Sequence, residues 1–335
     1  MPVFCGILKS RWTIVYLTLR TTGTGQGRKT LPARLKDPIE MISITKKKEL
    51  TGHLAGIYAL CVEDENFIFS GGVDKSVIRW DINNIENSKI LIKSSEAVYS
   101  LYFHEGNNLL FIGTSTGKIH IIDLFQKKEI KLLKSHTDKI FDFRLFDSHL
   151  LSASADGCLA FTNVNTLKTE QIIQISNERI RSIDIKNNIA VVACGDSNIR
   201  LIDMNTKLIL KSFKAHEKSC NVVKFHPTND TLISGGWDAH LKFWDKNLQL
   251  INSIPAHNYA IYSIVFSADK KLFATCSRDK SIKVWDALNT EFPKSITYEN
   301  LKGHQFSVNK LVWDEKSGNL FSASDDRKIM IWSVN

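Results

Sequence analysis

The 335-residue sequence predicts an all-β fold: a seven-bladed β-propeller of four-stranded antiparallel blades, its last blade closed by the N-terminal strand. Three observations carry this. One pattern recurs seven times: an apolar strand, a turn, a second strand ending in small residues, a tight turn, and a third strand. The third-strand anchors are Trp80, Ile122, Thr162, Ile202, Trp244, Trp285 and Trp332, with steps of 42, 40, 40, 42, 41 and 47 residues. Within the strands β-branched and aromatic residues alternate with polar ones, as in Val77-Ile78-Arg79-Trp80, the period of a pleated strand. No long segment has a helical period. Sheets of this size cannot bury both faces alone, and stacking seven around an axis buries them against each other.

In chain order, residues 1–40 stand outside the repeat. They hold seven basic side chains (Lys9, Arg11, Arg20, Arg28, Lys29, Arg34, Lys36) and no acid before Asp37. The formal net charge of +9 is therefore concentrated there, leaving 37 basic against 35 acidic residues over 37–335. A near-neutral body argues against a nucleic-acid-binding one. We expect 1–40 to be a basic extension, disordered or outside the native start, with a transit peptide or a binding arm as alternatives. Its Gly23–Thr30 stretch mimics a phosphate loop, but Arg28 stands where the Gly before Lys-Thr is needed, and Pro32 disfavours the following helix.

The propeller is expected over 41–335. The sequence ends directly after the third strand of the last repeat, so that sheet lacks an outer strand, and Met41-Ile42-Ser43-Ile44-Thr45 has the character to supply it. The 47-residue final step requires about five extra residues, expected around Asn289–Thr297.

The repeats ending in an intact anchor read SGGVDKSVIRWD (70–81), SGGWDAHLKFWD (234–245), TCSRDKSIKVWD (275–286) and SASDDRKIMIWS (322–333). A histidine precedes each anchor by 27 or 28 residues, at His53, His216, His257 and His304. On these residues the chain resembles the WD-repeat family over roughly 42–335. The resemblance implies that the N-terminal strand closes the last blade. It also implies a hydrogen-bonded tetrad of His, Ser or Thr, Asp and Trp inside a blade. Four sets match: His53, Ser70, Asp74, Trp80; His216, Ser234, Asp238, Trp244; His257, Thr275, Asp279, Trp285; and His304, Ser322, Asp326, Trp332. A buried Asp needs partners, which imidazole, hydroxyl and indole N–H supply. Four copies around a ring suit architecture rather than one catalytic centre. Repeat 3 keeps His136, Ser152 and Asp156 but has Thr162 for Trp; repeat 4 keeps Asp196 but has Ile202 and no loop His; repeat 2 has Thr116 and Ile122. Blades 2–4 are expected to rely more on apolar packing.

The resemblance further implies that the third and fifth residues after the loop His, and the residue before the turn Asp, face the mouth of the central channel. The matching positions are Tyr58, Val73, Tyr99, Lys139, Phe141, Arg179, Arg181, Asn221, Trp237, Tyr262, Arg278, Asn309 and Asp325. Tyr, Trp and Arg dominate binding energy at protein interfaces. Four cations (Lys139, Arg179, Arg181, Arg278) against one acid (Asp325) favour an acidic or phosphorylated partner segment.

The expected function is a non-catalytic protein-interaction scaffold, a monomeric propeller within a complex, binding one or more proteins at the channel mouth. An enzyme would need one compact acid/base, nucleophile or metal cluster, and none stands outside the repeated tetrads. No cofactor or metal is expected. The third reading is a nucleic-acid-associated subunit, holding single strands on stacked aromatics and Arg. The six cysteines form no C-x-x-C, which fits reduced buried thiols in the cytoplasm. No run of about 18 apolar residues predicts a membrane span.

Overall fold

The computed structural model describes residues 42–335. The extension at 1–40, with Cys5, Gly23–Thr30 and Met41, lies outside the described residues. The fold is a seven-bladed propeller of four-stranded antiparallel sheets. Blades 1 to 6 each use four strands in chain order; blade 1 is Ile57–Val62, Phe67–Gly72, Ser76–Asp81 and Lys89–Lys93. Each inner strand packs on the inner strands of both neighbours, and the ring closes between blades 7 and 1.

The small residue near the end of each second strand has a packing reason. The equivalent positions are Gly71, Gly113, Ala153, Ala193, Gly235, Cys276 and Ala323, all buried. A Cβ on Gly235 would lie 2.7 Å from Ile261 of the next blade, and one on Gly71 would lie 2.4 Å from Val98. A large side chain here would hold neighbouring blades apart.

Blade 7 takes Val308–Trp313, Leu320–Ser324 and Lys328–Val334 from the end of the chain and its outer strand from the beginning. That strand is Ile44–Thr51 rather than Met41–Thr45. It pairs antiparallel with Lys328–Val334, and Ser43 and Asn335 exchange backbone hydrogen bonds of 2.8 and 3.0 Å. The run Lys46-Lys47-Lys48 looks unlike a strand, but an outer strand is solvated along one edge, where Lys is tolerated. Leu50 supplies the apolar anchor and is fully buried.

The longer final step is placed differently from the expectation. The stretch 289–297 contains the outer strand of blade 6, Lys294–Ile296. Extra residues lie on both sides of it: a loop ahead, and a one-turn helix, Tyr298–Leu301, behind. Thr297 and Asn300 cap that helix reciprocally.

Candidate functional site at the channel mouth

The top of each blade is organised around its polar residues. In blade 5, His216 Nε2 lies 2.9 Å from Ser234 Oγ, Trp244 Nε1 donates to the same hydroxyl at 2.9 Å, and His216 Nδ1 lies 2.9 Å from Asp238. The same pattern joins His53, Ser70, Asp74 and Trp80; His257, Thr275, Asp279 and Trp285; and His304, Ser322, Asp326 and Trp332. The consistent proton order runs from indole N–H to hydroxyl to imidazole Nε2, with Nδ1–H donating to the carboxylate. Each Asp also accepts backbone N–H groups from both loops it ties, as Asp74 does from Leu54 at 2.8 Å and Ser76 at 3.2 Å. Blade 3 joins His136, Ser152 and Asp156 without an indole. In blade 4 Ser176 stands at the histidine position, 3.3 Å from Asp196, and Arg200 pairs with the same carboxylate.

Burial lowers His53, His216 and His257 below the usual imidazole range, with the facing Asp opposing it in each case. Burial also opposes ionisation of Asp156 and Asp238, but His136 and His216 together with backbone N–H donors from the flanking loops outweigh it and hold both carboxyls at about 2. Asp279 and Asp326 are lowered in the same way by His257 and His304. An unfolded chain takes up protons at His53, His216 and His257 near pH 6.5, whereas the folded chain does not until lower pH. Stability is therefore expected to fall in two stages on acidification, first below about pH 6.5 and again below about pH 4 as the unfolded-state carboxyls protonate. Thermal melts across this range check it, and a Tm unchanged between about pH 7 and pH 5 would contradict the first stage.

The channel mouth is built by a repeated irregularity. Every inner strand has a β-bulge near its start, between Ile57 and Ala59, Val98 and Ser100, Ile140 and Asp142, Ile180 and Ser182, Cys220 and Val222, Ile261 and Ser263, and Val308 and Lys310. The extra residue is Tyr58, Tyr99, Phe141, Arg181, Asn221, Tyr262 or Asn309. A bulge re-aims its unpaired residue, and all seven line one cavity of about 530 Å³. The neighbours touch in order. Tyr58 stacks on Tyr99 with centroids 5.1 Å apart, Tyr99 meets Phe141 edge-on at 5.9 Å, and the Arg181 guanidinium lies 4.8 Å from the Phe141 ring. Asn221 donates to the Ile261 carbonyl at 3.1 Å, and Asn309 to Ile57 at 3.0 Å and Asp325 at 2.8 Å.

Lys139, Arg179, Trp237, Arg278 and Asp325 complete the expected set, so twelve of the thirteen sequence-derived positions share the cavity. Val73 does not line it; it is partly exposed elsewhere on the top face. Sequence reasoning missed Asp138, Ala155, Asn177, Glu178, Ser307 and Lys310. The balance of four cations to one acid is thereby corrected to five and three. Lys139 pairs with Asp138 at 3.1 Å and Lys310 with Asp142 at 3.5 Å. Arg179, Arg181 and Arg278 make no ion pair among the described residues. Arg181 Nε is buried with no hydrogen-bond partner, and burial, then Arg179, lowers the pKa of its guanidinium. Burial, then Asp325, pushes the Tyr58 phenol up to about 12, so it stays a neutral donor.

Below the cavity lies a charged cluster also missed from sequence. Asp142 and Arg144 of blade 3 contact each other at 3.3 Å; Arg144 reaches Asp184 of blade 4 at 3.4 Å; Lys224 of blade 5 meets Asp184 at 2.9 Å. Lys310 of blade 7, which lines the cavity, reaches Asp142 of blade 3, so the cluster links blades 3, 4, 5 and 7. The available signal was charge inside otherwise apolar inner strands, as where Asp142 and Arg144 flank Phe143.

Four-stranded blades, loop histidines and third-strand tryptophans in this arrangement are those of a WD-repeat β-propeller. The model for "WD domain, G-beta repeat" matches residues 44–81, 207–245, 248–286 and 295–333, the four repeats carrying complete tetrads. Similar curated proteins include nuclear distribution protein PAC1 of Arthroderma otae, 34% identical over 138 residues, 37% of this chain and 28% of that protein. Nuclear distribution protein nudF of Aspergillus flavus is 34% identical over 126 residues, 37% of this chain and 27% of that protein. Probable cytosolic iron-sulfur protein assembly protein 1 of Kluyveromyces lactis is 29% identical over 136 residues, 36% of this chain and 40% of that protein. The match thus spans well under half of each relative's length. The crystal structure of the WD40 β-propeller domain of Doa1 superposes with a TM-score of 0.78, covering 87% of this chain and 97% of that one at 17% identity, a likeness of fold. No helix among the described residues is long and apolar enough to cross a membrane.

Proposed function

We propose that this propeller is a non-catalytic scaffold that docks an acidic or phosphorylated segment of a partner protein in the channel mouth. WD40 propellers typically serve as protein-interaction scaffolds. The observation that carries the finer reading is the group of three arginines without carboxylate partners at an aromatic-lined cavity. An anion brought to Arg181 would offset its desolvation and the repulsion from Arg179. The aromatic ring of blades 1 to 3 would give contact area at low entropic cost. Relatives named for nuclear distribution and cytosolic iron-sulfur protein assembly support a cytoplasmic role inside a complex.

The test compares the full chain with a Tyr58→Ala/Arg181→Ala/Trp237→Ala version in affinity pull-downs read by mass spectrometry, after far-UV circular dichroism shows that both fold. A protein partner held by the first and lost by the second is expected. A partner retained by both would place docking elsewhere, and capture of nucleic acid that collapses with salt would favour a nucleic-acid-associated subunit.

A further inference from the structure

We infer that the docked segment carries, a few residues from its anionic group, a bulky apolar side chain that seats in a second cleft on the top face between blades 5 and 6. This rests on the channel-mouth reading and extends it to the composition of the ligand. The cleft has a volume of about 380 Å³ and shares Trp237 and Arg278 with the mouth cavity, so the two are adjoining compartments of one surface.

Two aromatic side chains, Trp237 and Tyr259, stand in its lining beside Ala239 and Ala260, with Lys218, Asp238, Asn258 and Arg278 around them. Trp237 is 39% exposed and Tyr259 is 59% exposed, and the Arg278 guanidinium lies 6.0 Å from the Tyr259 ring. Exposed aromatics pinned by a rigid backbone make a preorganised binding surface rather than a collapsed one. Here the pins are the Trp237 N–H donating to the Ser219 carbonyl at 2.8 Å, the Arg278 N–H donating to the Ala260 carbonyl at 3.0 Å, and the Ser277 hydroxyl donating to the Tyr259 carbonyl at 2.9 Å.

The polarity of the cleft selects the rest of the ligand. Asp238 lines it, but its carboxylate is taken up by His216 and by the N–H groups of Glu217 and His240. The charges left over are Lys218 and Arg278, neither of which makes an ion pair among the described residues. An apolar side chain between the aromatics, on an acidic backbone stretch, satisfies both features, and a basic segment would be repelled. The large exposed apolar residues of the top face, Leu54, Val73, Trp237, Tyr259 and Phe306, lie over blades 5 to 7 and 1. The charged rim at Asp138, Lys139, Glu178 and Arg179 belongs to blades 3 and 4. The ligand therefore leaves the channel toward blades 5 and 6. An extended chain advances about 3.3 Å per residue, so adjoining compartments call for only a few residues between the two anchors.

A phage-displayed random peptide library selected on the immobilised full chain tests this. Enriched peptides are resynthesised and titrated by fluorescence anisotropy against the parent protein, Tyr259→Ala and Arg181→Ala. The expected consensus pairs an acidic residue with a Leu, Ile, Phe or Trp. Tyr259→Ala is expected to weaken binding about tenfold, with no further loss when the apolar peptide residue is also changed to Ala. If binding falls with Arg181→Ala but not with Tyr259→Ala, or the consensus lacks an apolar position, this inference fails while the channel-mouth reading stands. If neither substitution matters, or nothing is enriched, both fail.

Discussion

Replacing Trp285 with alanine is expected to cost about 3–5 kcal/mol of folding stability, among the largest single losses available to this chain. Its indole is 1% exposed, stacks on Phe273 with centroids 5.8 Å apart and planes 5° from parallel, and joins a cluster with Val222, Ile233, Leu241 and Ile261 that ties blade 6 to blade 5. The substitution removes that packing and the donor to Thr275 together. Thr275→Val separates the two contributions. It keeps the shape but leaves Trp285 Nε1 and His257 Nε2 facing a methyl group, at a cost of about 1–3 kcal/mol. Urea denaturation of both variants checks the order. Equal losses would mean that the hydrogen-bonded chain, rather than packing, dominates the indole's contribution.

Removing the Asp142 carboxylate should have a comparable effect for a different reason. Asp142 is the anion on which Arg144 and Lys310 converge from opposite parts of the ring, and it accepts the Ile183 N–H at 3.2 Å. Its side chain is 7% exposed. Burial opposes its ionisation, but Arg144, Lys310 and Lys224 overcome this and lower its pKa. Asp142→Ala would leave three cations sharing Asp184 alone, an imbalance of the kind that costs about 3–5 kcal/mol. Adding Lys310→Met should recover part of the loss, because it removes one of the stranded charges. A double variant no more stable than Asp142→Ala would show that Lys310 is solvated in the channel and does not depend on the bridge.

Much of the fold is readable without coordinates because its information is local and repeated. Strand period, turn residues and the His–Ser–Asp–Trp spacing each lie within about 30 residues, inside one repeat. The repetition lets strong copies identify weak ones, so that Thr162 and Ile202 could be aligned with Trp244. The closing strand was harder. Its residues are three lysines and a glutamate around one buried leucine, and only pairing with Lys328–Val334 makes such an edge a strand.

The list of mouth residues was legible through the repeat alignment, but not the means by which they converge. A bulge is a mismatch between two strands and has no signature in either alone. Only the ring turns seven such mismatches into one wall. The charge balance of that wall was only partly local. Asp138 neutralises its neighbour Lys139, whereas Lys310 is answered by Asp142 from across the channel. The sequence by itself determined the number of blades, their strand order and the tetrads, because each is specified by side chains a few turns apart along the chain. The tertiary structure alone decided which arginines remain uncompensated and where the second cleft opens, because those depend on residues of different repeats meeting around an axis.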